Sequence, residues 1–205
     1  MIEFPPQAFE KMDPTPDAEF YQSPRFVTHI DDAAVAAVTE LYREIVPVGG
    51  DVLDLMSSWV SHLPPETQYG TVVGHGMNAT ELARNPRLTR WFVQDLNADP
   101  TLPLEDGSFD AVLCCVSVQY QQRPVEVWRE ALRVARPGAR AIVTFSNRCF
   151  PTKAVALWGA TGDEDHARIV AAYLSEAGWT DVRAEDRSPA RRRSDPLLAV
   201  IGTKA

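Results

Sequence analysis

Short apolar runs alternate with amphipathic helical segments along most of this 205-residue chain, and the alternation restricts the folds open to it. The run DAVLCCVSV, at residues 110–118, is almost wholly apolar, which is typical of a strand in the centre of a parallel sheet covered on both faces. By the same criteria we expect strands near residues 51–56, 71–75, 91–96, 110–118, 140–147, 179–186 and 196–204. Helices are expected over residues 31–46, 79–88, 124–138 and 163–178, with Pro137-Gly138 ending the third.

This order predicts an α/β fold, a doubly wound and mostly parallel seven-stranded sheet. The last two strands are joined without room for a helix, so we expect them to pair as a C-terminal antiparallel hairpin. The whole chain, residues 1–205, is expected to form one domain. Residues 1–29 are rich in proline and aromatic side chains without helical or strand periodicity, and they predict an N-terminal arm that packs as a lid over a pocket.

Composition limits the partners. The net charge of −8 argues against nucleic acid as the main partner, and no apolar run approaches the ~18 residues of a membrane span. The first residues lack the pattern of a signal peptide, so a cytoplasmic protein is expected. Three cysteines do not suggest a disulfide framework, and no His/Cys cluster has zinc spacing, so no metal site is predicted. The basic run Arg191-Arg192-Arg193 is interpreted as a solvated loop.

The segment LPLEDGSFDAVLCCVSVQYQQRPVEVWREALRVARPGARAIVTF, within residues 95–145, resembles the class I S-adenosylmethionine-dependent methyltransferases, in particular their small-molecule branch of type 11. A looser similarity extends over residues 31–204. The resemblance implies a Rossmann-like fold, S-adenosylmethionine as cofactor, and methyl transfer to a small-molecule acceptor. It says nothing about the oligomeric state.

The resemblance also implies which residues bind the cofactor. Asp54 matches the acid that ends the first strand, but the glycines of the loop that follows would fall at Met56, Ser58 and Val60, and none is kept. The hydroxyl groups of the loop serines are expected to replace lost main-chain contacts. Gly76 stands where the family has a ribose-binding acid, and Asp95 matches the acid that binds the adenine amino group. The residues expected to bind the cofactor are Asp54, Ser57, Ser58, Gly76, Met77, Asn78, Asp95, Leu96, Cys115 and Val116.

The sequence does not identify a catalytic residue. His62, Tyr21 and Tyr120 are candidates, because their side chains can exchange protons and are expected near the pocket. Trp59 and Tyr120 could contact a sulfonium by cation–π attraction.

Two other functions stay open. Without its glycines and its ribose acid, the chain could be a non-catalytic or regulatory protein of the same fold. Alternatively, Gly74-x-Gly76-x-x-Ala79, with Asp95 about 20 residues further on, matches the dinucleotide fingerprint and would indicate an NAD(P)-linked enzyme. We favour methyl transfer, because the loop after the first strand is dense in polar and aromatic groups.

Overall fold

The structure, a computed structural model that describes residues 4–190 and 194–205, contains one seven-stranded sheet with helices on both faces. The Arg191-Arg192-Arg193 run lies outside the described residues. The strands in chain order are β1 Val52–Leu55, β2 Val72–Gly76, β3 Arg90–Val93, β4 Phe109–Cys115, β5 Ala135–Phe145, β6 Thr180–Asp186 and β7 Leu198–Thr203.

In space the strands follow the order β3-β2-β1-β4-β5-β7-β6. Strands β1 to β5 are parallel, whereas β7 runs antiparallel to both β5 and β6. This arrangement confirms the doubly wound, mostly parallel sheet with a C-terminal antiparallel hairpin.

The helices are α1 Asp17–Phe20, α2 Asp32–Ile45, α3 Ala79–Leu82, α4 Pro124–Val134, α5 Ala156–Gly159 and α6 Asp163–Ala177, with 3-10 turns at Pro6–Phe9 and Val118–Tyr120. Within these described elements no helix is long and apolar enough to cross a membrane. The expectation that Pro137-Gly138 end α4 is wrong, because the helix stops at Val134 and those two residues lie in the first part of β5. Gly138 takes a φ of 82° there, a conformation that glycine adopts without strain.

Two apolar cores hold the strand ends in place. On one face α2 buries Ala34, Val38, Leu41 and Tyr42 against the sheet. Helices α4 and α6 cover the other face, where Trp128 is fully buried. Because both faces are packed, the carboxyl ends of β1 to β4 form a rigid platform.

The connection between β1 and β2 differs from the usual strand–helix–strand unit. Residues 56–71 contain no helix, and the next connection holds only the one-turn helix α3. The platform above β1 and β2 is therefore built from irregular chain, whose path depends on side-chain contacts.

The N-terminal arm, residues 4–29, crosses this platform and is anchored by buried charges. The Lys153 side chain is fully buried, and its ammonium group donates to the Thr15 carbonyl at 2.6 Å. The same group lies 3.2 Å from a carboxylate oxygen of Asp13 and 3.5 Å from one of Asp17, and Lys11 approaches Asp17 to 2.5 Å. Removing one member of this set leaves the charges that it contacts less well compensated, so the anchor depends on all of them.

Candidate functional site

A cavity opens at the carboxyl ends of β1 to β4, the place where ligands bind in doubly wound sheets. Its empty space is about 1170 Å³, counting the solvent at its mouth, and arm residues between Asp17 and His29 form part of its wall. The wall contains every residue that the sequence singled out for cofactor binding or proton transfer: Asp54, Ser57, Ser58, His62, Gly76, Met77, Asn78, Asp95, Leu96, Cys115, Val116, Tyr21 and Tyr120. The structure brings these residues together, and their roles in binding stay predictions.

The loop after β1 bends across the end of β2. Met56 has a φ of 54°, so it adopts the left-handed conformation that a glycine would take at this position. The Met56 N–H donates to Nδ1 of His75 at 3.1 Å, and the Ser57 N–H donates to the His75 carbonyl at 2.6 Å. The loop is therefore fastened to β2 by its first two backbone donors.

The His75 side chain bonds to the loop after β1 and to the chain after β3. Because its Nδ1 accepts a hydrogen bond, its proton sits on Nε2, which lies 2.9 Å from the Gln94 carbonyl beyond β3. The ring is 1% exposed, and burial lowers its pKa to about 4, so it is neutral at physiological pH. One neutral imidazole thus joins the ends of β1, β2 and β3.

The two glycines of β2 are explained by close packing. A Cβ atom on Gly76 would lie 2.4 Å from the Ser57 carbonyl oxygen, and one on Gly74 would lie 2.3 Å from Leu88. The dinucleotide fingerprint requires its glycines in a turn between a strand and a helix, whereas both of these glycines lie inside β2. The fingerprint interpretation is therefore wrong for this segment, because these positions lie in the strand and must lack a side chain for the chain to pack.

The Asp54 side chain at the end of β1 bonds to the loop that follows it. The carboxylate is 3% exposed and accepts a hydrogen bond from the Ser57 hydroxyl at 2.6 Å. Burial raises its pKa to about 6, partly offset by hydrogen bonds from Ser57 and Ser61. At neutral pH the site therefore holds a buried, mostly ionised carboxylate that is not in a salt bridge with any described residue.

The end of β2 is tied to the arm. The Asn78 side-chain oxygen caps α3, and its amide nitrogen donates to the carbonyls of Tyr21 and Gln22 at 2.9 and 3.0 Å. The Asn78 amide is therefore fully used and offers no free donor to a ribose hydroxyl in this conformation. Glu81, which the sequence did not single out, also lines the cavity. Its carboxylate accepts hydrogen bonds from the main-chain N–H of Arg25 and from the Ser58 hydroxyl.

The end of β3 keeps free hydrogen-bonding groups. One Asp95 oxygen accepts from the Asn97 N–H at 2.9 Å, and the second has no hydrogen-bond donor among the described residues. The Leu96 N–H likewise has no partner in the described ranges. An adjacent free acceptor and free donor can pair with the edge of an adenine ring.

Backbone strain is concentrated at the cavity. Of the four non-glycine residues with positive φ in the described chain, Met56, His62 and Val116 line the cavity, and only Asp181 lies elsewhere. Val116 is β-branched, so its φ of 45° is an outlier that costs about 1–3 kcal/mol. Strain of this kind accumulates at functional sites, which supports this cavity as the site.

Among the candidates for proton transfer, only His62 has a suitable protonation state. Burial, reinforced by the nearby His29, lowers the pKa of His62 to about 4 and keeps the imidazole neutral. Burial raises the pKa of Tyr120 to about 12, and its hydroxyl accepts from the Phe150 N–H. Burial also raises the pKa of Tyr21 well above its ordinary value, so neither phenol supplies a base at neutral pH.

Trp59 does not line the cavity. Its indole N–H donates to the Val27 carbonyl at 3.0 Å, and its ring packs edge-on against Phe26. The cation–π role considered for Trp59 is therefore wrong, because the ring holds the arm instead.

These features define an α/β protein with a candidate ligand site at the ends of its parallel strands. The sequence model of a methyltransferase domain of type 11 matches residues 57–143. A demethylmenaquinone methyltransferase of Paenarthrobacter aurescens is 26% identical over 189 residues, which cover 75% of this chain and 74% of that protein.

Solved structures show the same fold. The cyclase SpnF superposes with a TM-score of 0.61 at 17% identity and covers 82% of this chain and 80% of its own. A phosphoethanolamine N-methyltransferase of Haemonchus contortus, in complex with S-adenosylmethionine, has a TM-score of 0.60 at 14% identity and covers 82% of this chain and 52% of its own. By sequence the chain is thus similar to S-adenosylmethionine-dependent methyltransferases over residues 57–143, and it shares their fold.

Proposed function

We propose that this protein binds S-adenosylmethionine beneath its N-terminal arm and transfers the methyl group to a small-molecule acceptor in the cytoplasm. The observation that carries the proposal is the charge of the cavity wall. Three wall carboxylates, those of Asp54, Glu81 and Asp95, have no ion-pair partner among the described residues, and one wall guanidinium, that of Arg25, also has none. The cofactor has the complementary charges, a sulfonium, an ammonium and a single carboxylate.

The same charges disfavour a dinucleotide. Its pyrophosphate would carry two negative charges into a wall that already has an excess of carboxylates. No helix lies between β1 and β2, and the N–H groups of Thr80 and Glu81 at the start of α3 already donate to the Asn78 side chain, so neither strand offers the free helix N-terminus that usually receives a pyrophosphate.

The described residues can hold the cofactor by its parts. The free Asp95 oxygen and the Leu96 N–H suit the adenine edge, and the Ser57 and Ser58 hydroxyls lie on the wall of the loop. The bound cofactor would supply an electrophilic methyl group. The arm excludes water and aligns the reactants, which is most of what this reaction requires of a protein. Neutral His62 is available as a weak acceptor if the methylated atom must lose a proton.

A small acceptor fits both the cavity and the net charge. The arm roofs the site, and a net charge of −8 opposes the approach of a polyanion. The Paenarthrobacter aurescens relative is named for methyl transfer to demethylmenaquinone, which supports an organic small molecule as the acceptor class.

Calorimetric titration with S-adenosylmethionine, S-adenosylhomocysteine and NAD(P) tests the proposal. We expect the first two to bind, and we expect Asp95→Ala to weaken them about tenfold or more through loss of a charge-assisted hydrogen bond. Asp99→Ala is the matched control, because Asp99 lies in the same loop but not on the cavity wall. Binding of only a dinucleotide, or of none of the three, would reject the proposal, and the second result would favour a non-catalytic protein.

A further inference from the structure

The guanidinium of Arg25 is held in place but left without an anion. It lies 4.6 Å above the centre of the Phe20 ring and 5.5 Å from that of Phe150. Its Nη2 donates to the Phe20 carbonyl at 2.8 Å, whereas Nη1 is buried and has no partner within the described residues. No carboxylate of those residues lies within 4.0 Å of the group, although Arg25 lines the cavity. A buried guanidinium nitrogen without an acceptor is costly unless a ligand satisfies it.

The first two main-chain donors of the loop after β1 are not available to an anion. Main-chain N–H groups where a strand leads into a helix commonly bind anionic ligand groups. Here the N–H groups of Met56 and Ser57 already donate to His75, and no helix follows in residues 56–71. An anionic ligand group beside Met56 and Ser57 therefore needs a donor from elsewhere.

We propose that Arg25 binds the carboxylate of the amino-acid tail of the S-adenosyl ligand, in place of the two main-chain donors that His75 occupies. This assignment rests on the proposed function. Arg25 is the only unpaired permanent cation among the described residues of the wall, and the tail carboxylate is the only anionic group of that ligand. The aromatic rings lie beside the guanidinium and fix its orientation, which reduces the entropy lost when a carboxylate binds.

Binding through Arg25 makes the arm part of the cofactor site. The main-chain N–H of Arg25 donates to the Glu81 carboxylate at 2.6 Å, and the Asn78 side chain donates to the carbonyls of Tyr21 and Gln22. A cofactor that engages the guanidinium therefore stabilises the closed position of the arm, and the arm contributes directly to affinity.

The test compares three ligands and two variants by calorimetry. The ligands are S-adenosylhomocysteine, its decarboxylated analogue, and methylthioadenosine, which lacks the whole tail. Arg25→Gln should weaken S-adenosylhomocysteine about 10- to 100-fold, the range expected for a charge-assisted hydrogen bond, and leave the other two ligands unchanged. Arg84→Gln is the matched control, because Arg84 lies 4.7 Å over the Phe26 ring of the arm but does not line the cavity, and it should change none of them.

The outcomes separate this inference from the proposed function. Equal loss of all three ligands in Arg25→Gln would mean that the residue only holds the arm, and unchanged S-adenosylhomocysteine affinity would mean that its anion belongs to the acceptor. Either result overturns the inference while methyl transfer stands. Failure of the unsubstituted protein to bind any of the three ligands would instead overturn the proposed function, and this inference with it.

Discussion

Gly76 provides the sharpest test of the path of the loop after β1. In Gly76→Ala the new Cβ would lie 2.4 Å from the Ser57 carbonyl oxygen, whereas ordinary contact begins near 3.4 Å, so the loop must withdraw by roughly 1 Å. That shift stretches the 2.6 Å hydrogen bond from the Ser57 N–H to His75. Overpacking costs about 1–3 kcal/mol and the weakened bond about 1, against a gain of about 0.4–1 from the stiffer unfolded chain, which leaves a net loss of about 2 kcal/mol.

Urea denaturation of ligand-free protein measures this loss, and a thermal scan should show a midpoint lower by about 4–8 °C. Gly159→Ala is the control, because nothing lies within 4 Å of a Cβ at that position and its φ is not positive. The control should be neutral or slightly stabilised. If the two variants unfolded at the same urea concentration, the loop could not lie against β2 as described.

Three further predictions concern buried ionisable groups. Asp54→Asn should stabilise the ligand-free protein at pH 7.5 by up to about 3 kcal/mol, because burial raises the Asp54 pKa from 3.8 to about 6. The unsubstituted protein loses this stability as pH rises from about 4 to 6, because buried Asp54 then gives up its proton. An equal gain at pH 4 and at pH 7.5 in urea titrations would contradict the assignment. His75→Gln should destabilise the protein at pH 8 by about 2 kcal/mol, since it disturbs two buried hydrogen bonds. The unsubstituted protein loses stability as pH falls from 6.5 to about 4, because the unfolded chain binds a proton there that buried His75 does not. His75→Gln should make this loss smaller, and a pH profile unchanged from that of the unsubstituted protein would refute the prediction. Lys153→Met should cost about 3–5 kcal/mol by leaving the carboxylate of Asp17 less compensated, and chymotrypsin should cut the arm faster than in Lys204→Met; equal cleavage rates would show that the anchor does not hold the arm.

The fold could be predicted because its signals are local. The apolar run at residues 110–118 marks the central strand by composition alone, and it contains most of β4. The short link between the last two strands leaves antiparallel pairing as the only arrangement, and β6 and β7 pair in this way. Such patterns need only neighbouring residues, so one sequence is enough to read them.

The path of the loop could not be predicted because its causes are distant in sequence. Met56 is held by a histidine 19 residues further along, and no periodicity links the two positions. For the same reason the sequence gives no sign that Gly76 packs against the Ser57 carbonyl. Nothing in the sequence pointed to Arg25, because one of the rings that hold its guanidinium, Phe150, lies 125 residues further along the chain.

The charged anchor of the arm has a consequence for chemical labelling. The chain has three lysines, and the side chains of two of them, Lys11 and Lys153, are only 4% and 0% exposed in that anchor. Reagents that acylate amines need a solvent-accessible nitrogen, so these two positions react only in molecules whose arm has detached. The extent of acylation at Lys153, read by mass spectrometry, therefore reports the fraction of open molecules without any engineered probe.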